Sequence, residues 1–214
     1  MKQARFVLAI ASWIAAGACA AVLATSPAQA GGKEVGNGGG AVFCAANASG
    51  PDRVEVLDLM EARVLYGLTI SAPEPSRTDL ERAWEVLAKL EAVAPTYYQW
   101  ASAFLDEIGA HQHFVGPGVG LTQLDDTFTP VLPLGCEIRQ LANYSHEWGL
   151  LLDPKLWAGL DANGRAALFV HEAIYAVERR LRDAPNSVYA RRIVAYLFSD
   201  VPFTAELWSS LKES

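Results

Sequence analysis

The chain has few cysteines, a shortage of basic residues and a single long apolar run. It contains 3 cysteines, and 17 Lys and Arg against 24 Asp and Glu, for a net charge of −7. Recognition of nucleic acid needs a basic face, and no cluster of basic residues supplies one, which argues against such a partner. Beyond residues 6–24, no apolar run has the length of a bilayer span. We find no internal repeat and no interdomain linker, so a single folded domain is expected.

The first thirty residues have the pattern of a secretory signal peptide. Lys2 and Arg5 precede an apolar run over residues 6–24, and Ala28-Gln29-Ala30 is a small-residue cleavage site. The pattern predicts export to the periplasm or the extracellular medium. The alternative is a lipid anchor at Cys19, since residues 16–19 loosely match a lipoprotein box, although the usual leucine is missing. We favour cleavage after Ala30.

Cleavage would leave two cysteines, Cys44 and Cys136. An even pair in an oxidising compartment predicts a disulfide. Such a bridge would stabilise the fold by about 4 kcal/mol on the chain-entropy estimate. A pair of free thiols is the alternative, and no surrounding motif favours it.

The periodicity of apolar residues predicts an α+β fold, a mainly helical single domain with a small antiparallel sheet. The domain is expected over residues 41–214, after a flexible glycine-rich leader at residues 31–40. Thr78 and Glu81 form a capping box at a helix start, and Cys44 is expected to end a short strand. Helices are predicted at 54–68, 79–90, 97–108, 161–182, 186–199 and 204–211, and strands at 41–44, 136–142 and 148–152.

The helix predicted at 161–182 carries the chemistry that the sequence suggests. His171-Glu172 matches the first half of the H-E-x-x-H motif of zinc metallopeptidases, but Tyr175 stands where the second histidine belongs. A neutral phenol is a poor zinc ligand. We therefore favour a buried polar cluster of His171, Glu172 and Tyr175, in which the histidine bonds to a neighbour inside the fold. The catalytic alternative makes His171 a zinc ligand and Glu172 the base.

His111 and His113 are the second candidate pair. In a strand they would share a face, and with His171 or His146 they could hold one zinc ion. In a turn after Gly109 they would only decorate a loop, which is the interpretation we favour. Asp125 and Asp126 are adjacent carboxylates and are more typical of a solvated turn than of a cation site.

Several segments together resemble an uncharacterised family of exported bacterial proteins. They are the glycine-rich start running into Cys44, Leu57-Asp58-Leu59-Met60-Glu61-Ala62-Arg63, Cys136-Glu137-Ile138-Arg139-Gln140, Asp153-Pro154-Lys155-Leu156-Trp157, His171-Glu172-Ala173-Ile174-Tyr175 and Asn186-Ser187. The resemblance implies a bacterial exported protein in which His171, Glu172 and Tyr175 recur as a unit. It implies no activity.

The sequence therefore leads us to expect an exported protein that is not an enzyme and has no cofactor. Its His/Glu/Tyr cluster would order the fold or bind a small ligand. A zinc-dependent hydrolase of atypical metallopeptidase type and a lipid-anchored envelope module are the alternatives. The sequence does not indicate a partner.

Overall fold

A computed structural model describes residues 35–36, 39–46, 52–73, 77–123, 129–145 and 147–213 of the chain. Residues 33–214 form one compact unit. The fold is α+β and mainly helical, as the periodicity predicts. The predicted signal peptide, Cys19, the carboxylates Asp125 and Asp126, and His146 lie outside the described residues.

The described chain has seven short strands and seven α-helices, which follow one another in runs of three strands, three helices, four strands and four helices. The strands are β1 Val35–Gly36, β2 Gly40–Cys44, β3 Arg53–Val56, β4 Gln112–Phe114, β5 Cys136–Gln140, β6 Ala142–Ser145 and β7 Gly149–Leu152. The helices are α1 Leu57–Val64, α2 Asp79–Leu87, α3 Pro95–Ala110, α4 Pro154–Gly159, α5 Ala162–Arg182, α6 Val188–Leu197 and α7 Ala205–Glu213. A 3-10 turn, Ala88–Leu90, extends α2.

The strands pair into two small sheets. One has the order β3-β2-β5 and is antiparallel throughout. The other has the order β1-β6-β7-β4, in which β4 runs parallel to β7 and the remaining pairs are antiparallel. The chain changes sheet at Leu141, between β5 and β6. The predicted small, mainly antiparallel sheet structure is confirmed, but it differs in two details, since β5 joins β2 in a separate sheet and the β4–β7 pair is parallel.

Helix α5 is the centre of the helical layer and packs against α1, α2, α3 and α6. Asp161 caps its start by accepting a hydrogen bond of 2.7 Å from the backbone N–H of Gly164. The stripe residues Ala167, Val170, Ile174 and Val177 are all 0% exposed, as predicted. Leu181 was expected to continue this stripe but is 54% exposed, because the last turn of α5 extends beyond the core.

Three local predictions have different outcomes. The capping box of α2 is confirmed, since Thr78 and Glu81 exchange side-chain and backbone hydrogen bonds. The helix expected at 54–68 is shorter, because residues 53–56 form β3 and pair with β2. The glycine-rich segment also differs from the expected flexible leader: Val35–Gly36 pairs with β6, and Gly40 already belongs to β2.

The predicted disulfide between Cys44 and Cys136 is confirmed, with an S–S distance of 2.08 Å. The two cysteines lie directly opposite each other in the β2–β5 pair. The bridge therefore closes a separation of 92 residues and ties the start of the domain to β5.

No helix among the described residues combines the length and the apolar character that a bilayer crossing requires.

Candidate functional site

The imidazole of His171 is paired with a carboxylate on another helix. Its Nδ1 lies 2.7 Å from Oδ1 of Asp58 in α1, and the two side chains are only 1% and 2% exposed. Because a carboxylate only accepts, Nδ1 carries the proton of this hydrogen bond. The other ring nitrogen, Nε2, is buried and has no hydrogen-bond partner in the described part of the chain.

A second buried ion pair joins α1 to α6. Glu61, one turn after Asp58 on α1, accepts a hydrogen bond of 2.9 Å from Nε of Arg191 in α6. Arg191 also donates from Nη1 to the hydroxyl of Ser187 at 2.9 Å. Its side chain is 2% exposed and that of Glu61 is 4% exposed. Two acids spaced three residues apart thus point from α1 toward two cationic partners on α5 and α6.

The surroundings raise the pKa values of His171 and Glu61. Burial by itself lowers the pKa of the His171 imidazole, but the Asp58 carboxylate, with help from Glu172, raises it above the ordinary value. Burial raises the pKa of Glu61, although the Arg191 guanidinium acts in the opposite direction. The imidazolium form of His171 is therefore favoured by a neighbouring charge rather than by solvent.

Glu172, the next residue on α5, has different partners. Its Oε1 accepts a hydrogen bond of 2.6 Å from the backbone N–H of Gly39, immediately before β2. A Cβ at Gly39 would lie 2.4 Å from Cδ1 of Leu168, so a larger residue here would force the buried Leu168 side chain to move. The carbonyl of Gly39 accepts from Leu141 and Ala142, where the chain changes sheet. Gly39 is thus held between α5, through Glu172, and the point where the chain changes sheet.

A tyrosine and a second glutamate continue the polar surroundings of Glu172. The hydroxyl of Tyr144 in β6 donates to Oε1 of Glu107 in α3 at 2.5 Å. Burial, this hydrogen bond and the charges of Glu107 and Glu172 raise the pKa of Tyr144 well above its ordinary value. Tyr144 is therefore a neutral hydrogen-bond donor at physiological pH.

Tyr175, the residue in the place of the second zinc-binding histidine, is packed in the core. It is 2% exposed, and its ring centroid lies 6.0 Å from that of His171. The guanidinium carbon of Arg179 lies 5.9 Å from the same ring. The three residues grouped by the sequence thus belong to two polar arrangements: His171 packs beside Tyr175 and pairs with Asp58, whereas Glu172 binds Gly39.

His111 and His113 are exposed at the start of the parallel β4–β7 pair. His111 ends α3, and its Nδ1 lies 3.1 Å from the carbonyl oxygen of Glu107. His113 lies in β4 and is exposed. Within the described ranges, no three His, Cys, Asp or Glu side chains are close enough together to hold a metal ion. The structure therefore does not unite His111, His113 and His171 in a zinc site.

Comparisons of the chain with known proteins give no match. The chain matches no protein-family model, no curated protein and no solved structure. The resemblance to an exported bacterial family thus stays a prediction.

The residues that sequence reasoning missed are the partners of α5. Asp58 and Glu61 interrupt an apolar helix and are buried with it, and Arg191 lies in the equally apolar α6. A charged residue inside an apolar stretch is a signal that a buried partner exists, because an unpaired charge is rarely buried. The identity of the partner has no such signal, since Asp58 and His171 are separated by 113 residues.

Proposed function

We propose that this chain is an exported, non-catalytic protein in which the Asp58–His171 pair orders the helical core. The observation that supports this is burial: His171, Glu172 and Tyr175 are only 1%, 4% and 2% exposed. A general acid or base has to come within hydrogen-bonding distance of the substrate proton. A substrate could not reach these groups unless α5 separated from its neighbours.

Each candidate catalytic group also has an interaction that serves the fold. Nδ1 of His171 is bound to Asp58, Oε1 of Glu172 is bound to Gly39, and the ring of Tyr175 packs between His171 and Arg179. Buried polar groups that are paired in this way can specify one packing of the helices over alternatives. The disulfide supports export, because such bridges persist mainly in oxidising compartments.

The alternative of a zinc-dependent hydrolase has one specific observation in its favour. Nε2 of His171 is buried without a partner in the described part of the chain, and Asp58 holds the opposite nitrogen. A carboxylate in this position orients many metal-binding histidines. A zinc site needs three or four protein ligands, and the described residues near His171 do not supply them.

Metal analysis of the purified full chain separates the two proposals. We expect wild-type protein without stoichiometric zinc, and a His171→Leu variant that is destabilised. The matched control is His113→Leu, the same substitution at an exposed histidine. Stoichiometric zinc in the wild-type protein that His171→Leu loses would support the hydrolase and contradict our proposal.

Mass spectrometry of the protein produced in a bacterial host tests the proposal of export. We expect a mature chain that begins at Gly31. An acylated Cys19 would instead support the alternative of a lipid-anchored envelope module. An uncleaved chain would contradict both.

A further inference from the structure

A cavity of about 330 Å³ lies near the C-terminal end of α5. This volume is at the lower limit of small-molecule sites, about 300–1,000 Å³. Its walls are the loop before α3, the first turn of α3, the last turn of α5, and α7. The lining residues are Val93, Ala94, Pro95, Thr96, Tyr97, Leu181, Arg182, Trp208 and Lys212.

The charges around the cavity are all positive, although the chain as a whole is acidic. Arg182 and Lys212 line it, and no carboxylate does. Nε of Arg182 lies 3.4 Å from Oε2 of Glu178, which is 1% exposed behind the wall, so these two charges offset each other. Lys212 has no carboxylate partner in the described chain, and its Nζ lies 5.6 Å from the Trp208 ring centroid. The excess charge at the cavity is therefore that of Lys212.

The start of α3 adds partial positive charge to the same wall. This helix has 16 residues, Pro95 is its first, and Ala94 makes no side-chain cap. The first backbone N–H groups of a helix have no acceptor within it, and they carry the positive end of the helix dipole. Thr96 and Tyr97, in this first turn, line the cavity.

Two aromatic residues, Tyr97 and Trp208, form part of the wall. The rings of Tyr97 and Trp208 meet edge to face with centroids 5.0 Å apart, and Trp208 is 6% exposed. The hydroxyl of Tyr97 donates to Oε1 of Glu178 at 2.7 Å, which fixes the start of α3 against α5. A ligand that fits this cavity therefore has an apolar body and one anionic group.

We propose that this cavity binds a small organic oxyanion, a carboxylate or phosphate attached to an apolar group. The anionic group lies between Lys212 and the first turn of α3, and the apolar part contacts Trp208. This site shares no residue with the Asp58–His171 pair. A failure of this proposal would therefore leave the proposed function unchanged.

Calorimetric titration of the full chain with three small probes tests the proposal. Phenylacetate and phenyl phosphate carry the two anionic groups, and phenylacetamide is the neutral control of similar shape. We expect saturable binding of at least one anion, weaker binding at high salt, and no measurable binding of the amide. The anion that binds more tightly identifies the source of the oxyanion. Equal binding of the amide and phenylacetate, or no binding of either anion, would overturn the proposal.

Two variants locate the binding in this cavity. Thr96→Glu places a carboxylate in the first turn of α3. Its charge interacts favourably with the helix dipole, so the melting temperature should not fall. The same charge repels an anion, so binding should weaken at least about tenfold. Lys212→Met should weaken binding about fivefold. Lys155→Met removes an exposed lysine on α4 that does not line the cavity, and should have no effect. An unchanged affinity in both Thr96→Glu and Lys212→Met would contradict the site.

Discussion

Removal of the imidazole from the Asp58–His171 pair should destabilise the protein far more than the loss of an ordinary hydrogen bond. His171→Leu leaves the Asp58 carboxylate 2% exposed and without the partner 2.7 Å away. Breaking a buried pair from one side costs about 3–5 kcal/mol, because one charge is left without compensation. The free energy of unfolding of a small domain is only about 5–15 kcal/mol, so the variant would lose a large part of its stability.

A double substitution distinguishes this mechanism from simple loss of packing. In Asp58→Leu with His171→Leu, both polar groups are absent, and an apolar pair fills a site between α1 and α5. Replacement of a buried ion pair by apolar residues is often neutral or stabilising. We therefore expect the double variant to recover most of the loss, with a coupling energy above about 2 kcal/mol.

The assay is urea unfolding followed by tryptophan fluorescence, with the disulfide kept oxidised. The unfolding midpoint should fall in His171→Leu with an unchanged slope, which indicates a change in stability rather than in the unfolded state. His113→Leu is the control and should stay within about 0.5 kcal/mol of wild type. The reasoning is refuted if the two single changes add within about 0.5 kcal/mol, or if His171→Leu resembles the control.

Three further predictions concern stability. The pKa of His171 is raised in the folded state, so its contribution should be complete below the unfolded value of about 6.5 and decline as the pH rises through the folded value; the stability difference between wild type and His171→Leu, measured by urea unfolding against pH, should shrink in that direction. A constant difference would contradict this assignment. Gly39→Ala should cost about 1–3 kcal/mol because its Cβ would overlap a side chain of α5, whereas Gly116→Ala meets no atom within 4 Å and should be neutral in the same assay. Reduction of the Cys44–Cys136 bridge should lower the melting temperature, by the equivalent of about 2–5 kcal/mol, and an unchanged melting curve would show that the bridge adds no stability.

Several features of this fold could be derived from the sequence because their causes are local. Thr78 and Glu81 are three residues apart, so the capping box needs only its own turn. Asp161 and the apolar stripe after it define the start and the buried face of α5 within one segment. The Cys44–Cys136 bridge is an exception among long-range contacts, since the predicted signal cleavage leaves only one possible pair.

Only part of the candidate site could be predicted from the sequence in this way. The sequence singled out His171 and Glu172, and neighbouring positions on a helix point about 100° apart. What each side chain meets was decided by the packing of distant segments: α1 brings Asp58 to His171, and the segment before β2 brings Gly39 to Glu172. Only the tertiary structure determines these partners, because the carboxylate or backbone N–H that forms a hydrogen bond with a buried polar group has no fixed spacing from it along the chain. The same reason explains β3, whose residues had a helical pattern but gained strand hydrogen bonds from β2.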